Sequence, residues 1–290
     1  MADTSAATTD LRVTPQPSGF GAEIRGVDLS RPLPPDLLRQ VRDAWIAHSV
    51  VWFPDQPLTL EQLEAFTLQI GPFGHDPYIK PMPGHANILE LRREPDEKAT
   101  NFGAGWHSDW SFQETPPAAT LLHSKVVPPV GGDTLYADAY RAYDSLSEAF
   151  RRMLAPLNAV HSASRAYGPS GVFARETEAR TMQIIVSPEA DKTVVHPLVT
   201  THPESGRKAL FVNPVYTVGI EGMTREESAA LLGFLFSRLT QEANVYRHRW
   251  APDMLTLWDN RCTSHLAEGG YDGHLRLMHR TTVAGGRPTA

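Results

Sequence analysis

The chain has 290 residues, 41% of them hydrophobic and 21% charged, with a formal net charge of -6, the composition of an ordinary globular protein with room for a sizeable core. The negative balance is spread along the chain and leaves no basic stripe, which argues against nucleic acid or an anionic membrane as the main partner. A single cysteine, Cys262, excludes an internal disulfide framework and thiolate-rich metal sites, so any metal must be held by nitrogen and oxygen.

The first ten residues, MADTSAATTD, lack the basic and apolar regions of a signal peptide and read as a disordered tail. Residues 11–290 read as one domain. Ala22–Leu29 alternates loosely like a strand, and Leu37–His48 is an amphipathic helix entered through Pro34-Pro35. Val50–Phe53 is a short apolar strand. Thr59-Leu60-Glu61-Gln62 is a capping box, in which hydroxyl and amide side chains each satisfy the other residue's backbone N–H; it opens a helix to about Ile70. Strands are then expected over Ile88–Leu91, Ala119–Val126, Thr134–Ala137, Thr193–Thr200, Ala209–Val212, Asn244–Trp250, Met254–Trp258 and Leu275–Val283. Residues Arg165–Ser187 are poorly periodic and rich in Gly, Arg and Glu, which predicts a loop or active-site lid. A second capping box, Thr224-Arg225-Glu226-Glu227, starts a helix to about Leu239. Its run Ala229–Phe236 (AALLGFLF) is apolar nearly all round, which predicts burial against the sheet or in a homo-oligomer interface, and it is too short to span a bilayer. Many short strands with turn signals predict a mostly-β fold, a sandwich or double-stranded β-helix (jelly roll), with helices packed outside. The single cysteine and the lack of a targeting segment point to the cytoplasm.

Two copies of His-x-Asp/Glu occur, His107-Ser108-Asp109 in GWHSDW and His202-Pro203-Glu204. With 12 His and 33 Asp+Glu, chance supplies about 1.4 such pairs, so the spacing alone decides nothing. The second copy, His202 to Gly206, carries Pro and Gly between two strand-like runs and reads as a hairpin turn with solvated side chains. The first has company. If GWHSDW is extended, His107 and Asp109 point to one face, and WDNRCTSH presents a second imidazole, His265, just after a strand. In RLMHRTT, period-2 alternation puts Arg276, Met278 and Arg280 on one face and Leu277 and His279 on the other. Two arginines on one face either lie toward solvent or clamp carboxylates, one or both of them bidentately. Two imidazoles and one carboxylate without thiolates match the facial triad of non-haem Fe(II) oxygenases. A structural or hydrolytic zinc site, an isomerase, or a non-catalytic jelly roll also accommodates these ligands. His123, His161 and His196, set in apolar strands, read as satisfied core histidines, and Trp106, Trp110 and Trp258 as packing residues.

The segments GWHSDWSFQETPPA, PPVGGDTLYAD, VVHPLVTTHPESGRKALFVNPVYT, LWDNRCTSH and RLMHRTTVAG carry a further signal. Over nearly its whole length the sequence resembles the taurine / 2,4-dichlorophenoxyacetate dioxygenase family of Fe(II)- and 2-oxoglutarate-dependent enzymes. HSASRAYG, VHPLV, SGRK and IEGMT are similar to its aryloxypropionate branch. The resemblance implies a jelly roll with Fe(II) on His107, Asp109 and His265. It implies 2-oxoglutarate on Thr134 and Arg276, and Arg280 serving the co-substrate or an anionic prime substrate. It also implies oxidation of 2-oxoglutarate by O₂ to succinate and CO₂, coupled to hydroxylation beside a heteroatom and cleavage of a C–O or C–S bond. In the segment that shapes the substrate pocket, His75 and Tyr78 keep the H-x-x-Y spacing of the taurine enzymes' sulfonate contacts. Asp76 stands where the aryloxypropionate branch is apolar. His75, Asp76, Tyr78, Ile79, Tyr216 and Arg280 are therefore the expected substrate contacts.

Overall fold

The computed structural model describes residues 11–290; the tail expected at residues 1–10 lies outside them. Strands β1 (Arg12–Pro15) and β2 (Ala22–Arg25) lead to α1 (Pro35–His48), β3 (Val50–Phe53), α2 (Leu60–Ile70) and β4 (Leu89–Arg93). Then come β5 (Ala119–Val126), β6 (Thr134–Asp138), α3 (Ala139–Asp144), α4 (Glu148–Leu154), β7 (Asn158–Ser162) and α5 (Ser164–Tyr167). The second half runs β8 (Thr193–Pro197), β9 (Val199–Thr201), β10 (Lys208–Leu210), β11 (Thr217–Ile220) and α6 (Arg225–Leu239). It ends in β12 (Val245–His248), β13 (Leu255–Asp259), β14 (Thr263–Ala267) and β15 (Arg276–Val283).

The strands form a jelly-roll core whose largest sheet has the order β1-β2-β3-β13-β5-β15-β4. Smaller sheets β12-β6-β14, β11-β7-β8 and β10-β9 complete it. Both faces of the large sheet are covered at its centre, where β3 and β13 are buried along their whole length. On the outer face Val51, Phe53, Leu121, Leu255 and Leu257 pack against Trp45 of α1 and Leu63 and Phe66 of α2. On the inner face Trp52, Leu122, Trp258 and Met278 meet Tyr136 of β6 and Trp250. This inner layer holds the site between the large sheet and β12-β6-β14.

Local chemistry explains the helices. Thr59 and Gln62 form both bonds of a capping box at α2, as do Thr224 and Glu227 at α6. One face of α6 is buried through Ser228, Leu232, Leu235 and Leu239, while Phe234 on the other remains 43% exposed, so the helix is not buried all round. The run expected as one strand over Thr193–Thr200 breaks at Leu198, after Pro197, which has no N–H for a ladder. β8 on one side of the break pairs with β7, and β9 on the other with β10. Strands β1, β7, β11 and β14 were not expected. β14, TSHLA, buries polar residues, so it lacks the apolar alternation by which a strand is read.

Candidate active site

His107 and His265 form an isolated antiparallel bridge. The His107 N–H donates to the His265 carbonyl at 2.9 Å, and the His265 N–H returns a bond at 2.7 Å. Residues that exchange both backbone bonds stand directly opposite, with side chains on one face, and the two imidazole centroids are 4.2 Å apart. GWHSDW is thus not extended throughout but a single bridge followed by a turn, in which Trp110 takes a left-handed φ of 48°. From this turn Asp109 reaches back, its Oδ1 lying 3.6 Å from His107 Nε2 and 3.8 Å from His265 Nε2. The three donor atoms lie within 4.8 Å of one another, and all three residues are buried.

Protonation suits a cation. His107 Nδ1 lies 2.7 Å from the Gly105 carbonyl, which accepts only from a protonated nitrogen, so the lone pair is on Nε2, facing the cluster. Burial, reinforced by His107, pushes the His265 pKa down to about 3 and keeps that ring neutral. Burial alone would raise the Asp109 carboxyl, but the Arg280 guanidinium, with further contributions from His265 and His107, outweighs it and holds the group below the usual carboxylate range. Two imidazoles and one carboxylate are the donor set of a ferrous facial triad.

A cavity opens beside these donors, lined by Leu122, Thr134, Trp258, Arg276 and Arg280. Arg276 and Arg280 both point inward from β15 and are 7% and 3% exposed. Among the described residues Arg276 has no acidic partner. Its one hydrogen bond is a 3.4 Å contact from Nη2 to the Gly132 carbonyl, its Nε has none, and burial lowers its pKa. An uncompensated buried cation is costly, and this one faces a cavity. Thr134 completes the cradle: the Trp250 indole donates to its Oγ1 at 3.0 Å, so the hydroxyl keeps its own proton for a ligand. An anion-binding cation and a hydroxyl donor beside the triad fit a metal-chelating dicarboxylate.

Arg280 is differently placed. Its Nη2 lies 3.2 Å from Asp109 Oδ1 and 3.6 Å from Asp76 Oδ1, with the guanidinium 5.0 Å above the Trp110 ring. Asp76 also accepts bonds from Trp110 Nε1 and, at 3.1 Å, from Thr282 Oγ1. The departure noted at Asp76 is therefore a counter-ion that straps the segment around residue 76 to β15.

A second, aromatic cavity adjoins His107, lined by Phe102, Tyr167, Phe173, Val215 and Tyr216. Tyr216 stands edge-on to the His107 ring at 6.0 Å. Of the other expected substrate contacts Arg280 lines the first cavity, and His75, Tyr78 and Ile79 lie outside both. His75 is exposed and its carbonyl accepts from Gln113. Tyr78 stacks on Tyr167 at 4.8 Å, and Ile79 bridges to Ile184; neither lines these cavities. The H-x-x-Y spacing is present without a ring facing the metal cluster. Phe102 and Tyr167, not singled out in the sequence, come from NFGAGW just before His107 and from the end of α5. The first could have been found by its closeness to the motif, whereas the second carries no local signal.

A second buried constellation, His202, Asp259 and Cys262, is excluded by its hydrogen bonds. His202 Nδ1 accepts from the Glu204 and Ser205 amides, so its proton is on Nε2, which donates to Asp259 Oδ2 at 3.0 Å. No imidazole lone pair is left for a metal, and Arg261 already grips the Asp259 carboxylate with two nitrogens. His202 is 2% exposed, so the hairpin turn is present but its imidazole is buried rather than solvated, while the exposed Glu204 pairs with Arg42 and Arg261. Each core histidine has a partner on one ring nitrogen, His123 the Gln56 carbonyl, His196 the Gln113 carbonyl and His161 the Ser111 hydroxyl, while His161 Nε2 and His196 Nδ1 have none among the described residues.

The profile of the family described as taurine catabolism dioxygenase TauD, TfdA family matches residues 12–282. The chain is 32% identical over 287 residues to an alpha-ketoglutarate-dependent sulfate ester dioxygenase of Pseudomonas putida, covering 98% of this chain and 93% of that one. It is 32% identical over 281 residues to an (S)-phenoxypropionate/alpha-ketoglutarate-dioxygenase of Sphingobium herbicidovorans, covering 94% of each. A crystal structure of a taurine dioxygenase from Burkholderia xenovorans superposes with a TM-score of 0.79 at 32% identity, over 96% of this chain and 92% of that one. The three are equally similar to the chain, while their names give three different substrates.

Proposed function

The chain belongs to the TauD, TfdA family of Fe(II)- and 2-oxoglutarate-dependent dioxygenases, and from that premise we propose that it hydroxylates a small anionic organic molecule beside a heteroatom. Collapse of that product cuts a C–O or C–S bond. Sulfate esters, sulfonates and aryloxyalkanoates are the candidate classes, because the relatives' names span them. In this reading His107, Asp109 and His265 hold the iron, which with O₂ and 2-oxoglutarate supplies the C–H oxidant and releases succinate and CO₂. Arg276 pairs with the distal carboxylate of the co-substrate and Thr134 donates a hydrogen bond to a carboxylate. Arg280, over Trp110, sets positive potential beside the metal, and Tyr216 with the aromatic cavity excludes water around the prime substrate.

One observation carries the reading: the buried, unpaired Arg276 opens onto the same cavity as the triad. A hydrolase, an isomerase or a non-catalytic jelly roll has no use for such a clamp. Two further parts of the proposal concern the surroundings. Residues 165–187 act as a lid, supported by Phe173 and Met182, which line the two cavities. Phe234, exposed on α6 against Phe150, supports a homo-oligomer, and a working place in the cytoplasm accords with supply of 2-oxoglutarate. No helix among the described residues is long and apolar enough to cross a membrane.

The test is succinate formation by the purified protein given Fe(II), 2-oxoglutarate and air, with a panel of alkyl sulfates, sulfonates and aryloxyalkanoates. His107→Ala should abolish it and Glu204→Ala should leave it intact. Activity lost in the Glu204 variant and kept in the His107 variant would overturn the assignment.

A further inference from the structure

The two oxygens of Asp109 face different ways. Oδ1 is the one nearest both imidazoles. Oδ2 accepts a 2.6 Å hydrogen bond from the hydroxyl of Thr120 on β5. Thr120 Oγ1 lies 2.9 Å from Asn260 Nδ2, and Asn260 Oδ1 lies 3.0 Å from the indole nitrogen of Trp258 on β13. None of these four side chains is more than 2% exposed.

The order of protons along this chain follows from one end. An indole N–H can only donate, so the Asn260 atom facing Trp258 is its carbonyl oxygen. The amide nitrogen then faces Thr120 and donates to the hydroxyl. Having accepted there, the hydroxyl spends its single proton on Asp109 Oδ2. No other arrangement of the amide satisfies all three contacts. Bonds in such a buried chain polarise one another, and the ionised acceptor at its end accounts for the short final link. The Trp258 ring also packs 4.9 Å from the His265 ring, so one indole supports two members of the triad.

We infer that Trp258, Asn260 and Thr120 form a positioning relay that turns Oδ1 of Asp109 to the metal and holds Oδ2 off it, so that the carboxylate ligates through one oxygen. The relay rests on the metal-site reading above. Its consequence is a coordination count. Two imidazoles and one carboxylate oxygen would leave the metal open to a chelating co-substrate and to O₂, and a carboxylate that gave both oxygens would take up part of that room. Thr120, Asn260 and Trp258 are thus positioning residues, acting on the metal through Asp109.

The experiment uses Co(II) added to the metal-free full-length protein, read by calorimetry and by visible absorption, with no turnover involved. Thr120→Val removes the hydroxyl at nearly constant volume, and Thr120→Ser restores it. The wild type and the serine variant should share one affinity and one spectrum. The valine variant should bind Co(II) about 10- to 100-fold more weakly, with altered band intensities as the carboxylate reorients. Asn260→Leu, one link further out, should change both in the same direction and by less. An unchanged Co(II) affinity and spectrum in Thr120→Val would overturn the relay, even if its metal-free melting point falls, because that pattern marks packing alone. So would a serine variant that behaves like valine. Failure of the wild type to bind Co(II) would instead refute the metal site itself, an outcome distinct from failure of the relay.

Discussion

Arg276→Met separates folding from function, because the structure predicts opposite signs for the two. In the metal-free protein Arg276 is a buried cation with no acidic partner and one weak 3.4 Å hydrogen bond. Methionine fills a similar volume without a charge to desolvate. Buried ion pairs replaced by well-packed apolar side chains gain up to about 1–4 kcal/mol, and a buried cation with no acidic partner has no Coulombic offset to lose. For a chain of this size each kcal/mol moves the melting point by roughly 2–4 °C, so the metal-free variant should melt at least a few degrees higher. The same change removes a charge-assisted bidentate contact to the co-substrate. Two such bonds at roughly 1.5–3 kcal/mol each correspond to a loss of about 10²- to 10⁴-fold in 2-oxoglutarate affinity. Melting curves of the metal-free protein and calorimetric titration of the Co(II)-loaded protein with 2-oxoglutarate measure the two halves. A variant that melts lower and binds 2-oxoglutarate as the wild type does would refute the argument, since Arg276 would then be a structural cation with a partner of its own.

Thr59→Ala removes one arm of the α2 capping box and should cost about 0.5–2 kcal/mol in stability without altering Co(II) affinity, because α2 packs on the outer face of the large sheet. Acid should destabilise the protein through its buried imidazoles. Burial lowers the pKa of both His161 and His248 to about 3. Unfolded, each takes up a proton near pH 6.5. The native state therefore binds fewer protons between about pH 6.5 and 3, and stability present above that window is lost as pH falls through it, by up to about 1.4 kcal/mol per pH unit for each ring. Denaturant unfolding at several pH values measures the slope, and His248→Gln should make it shallower; an unchanged slope would show that His248 is protonated in the fold.

What could be read from the sequence were features whose cause is local. The capping boxes at Thr59 and Thr224, the proline entry to α1 and the inward alternation of Arg276 and Arg280 all depend on residues within one or two turns or pleats of each other. The family's motifs likewise pointed to the three residues that meet as His107, Asp109 and His265 and to Arg276 beside them. β14 escaped notice although it carries His265, because a strand that lines a site buries Ser, Thr and His and shows no apolar period. The turn at His202 was legible, but its burial was not. It depends on Asp259 and Arg261, brought alongside only when β9 and β13 are in place.

Residue types and their order along the chain were enough to give the fold class and to propose the ligands, the first from turn signals and short-range periodicity and the second from donor chemistry, while the clamp was proposed from the family resemblance. Which oxygen of Asp109 faces the cluster, whether Arg280 is free or held by Asp76, and which rings wall the substrate cavity depend on segments from opposite ends of the chain meeting in the inner layer. Hydrogen-bond polarity and ion pairing act over about 3–4 Å, a distance that only the packed sheets define.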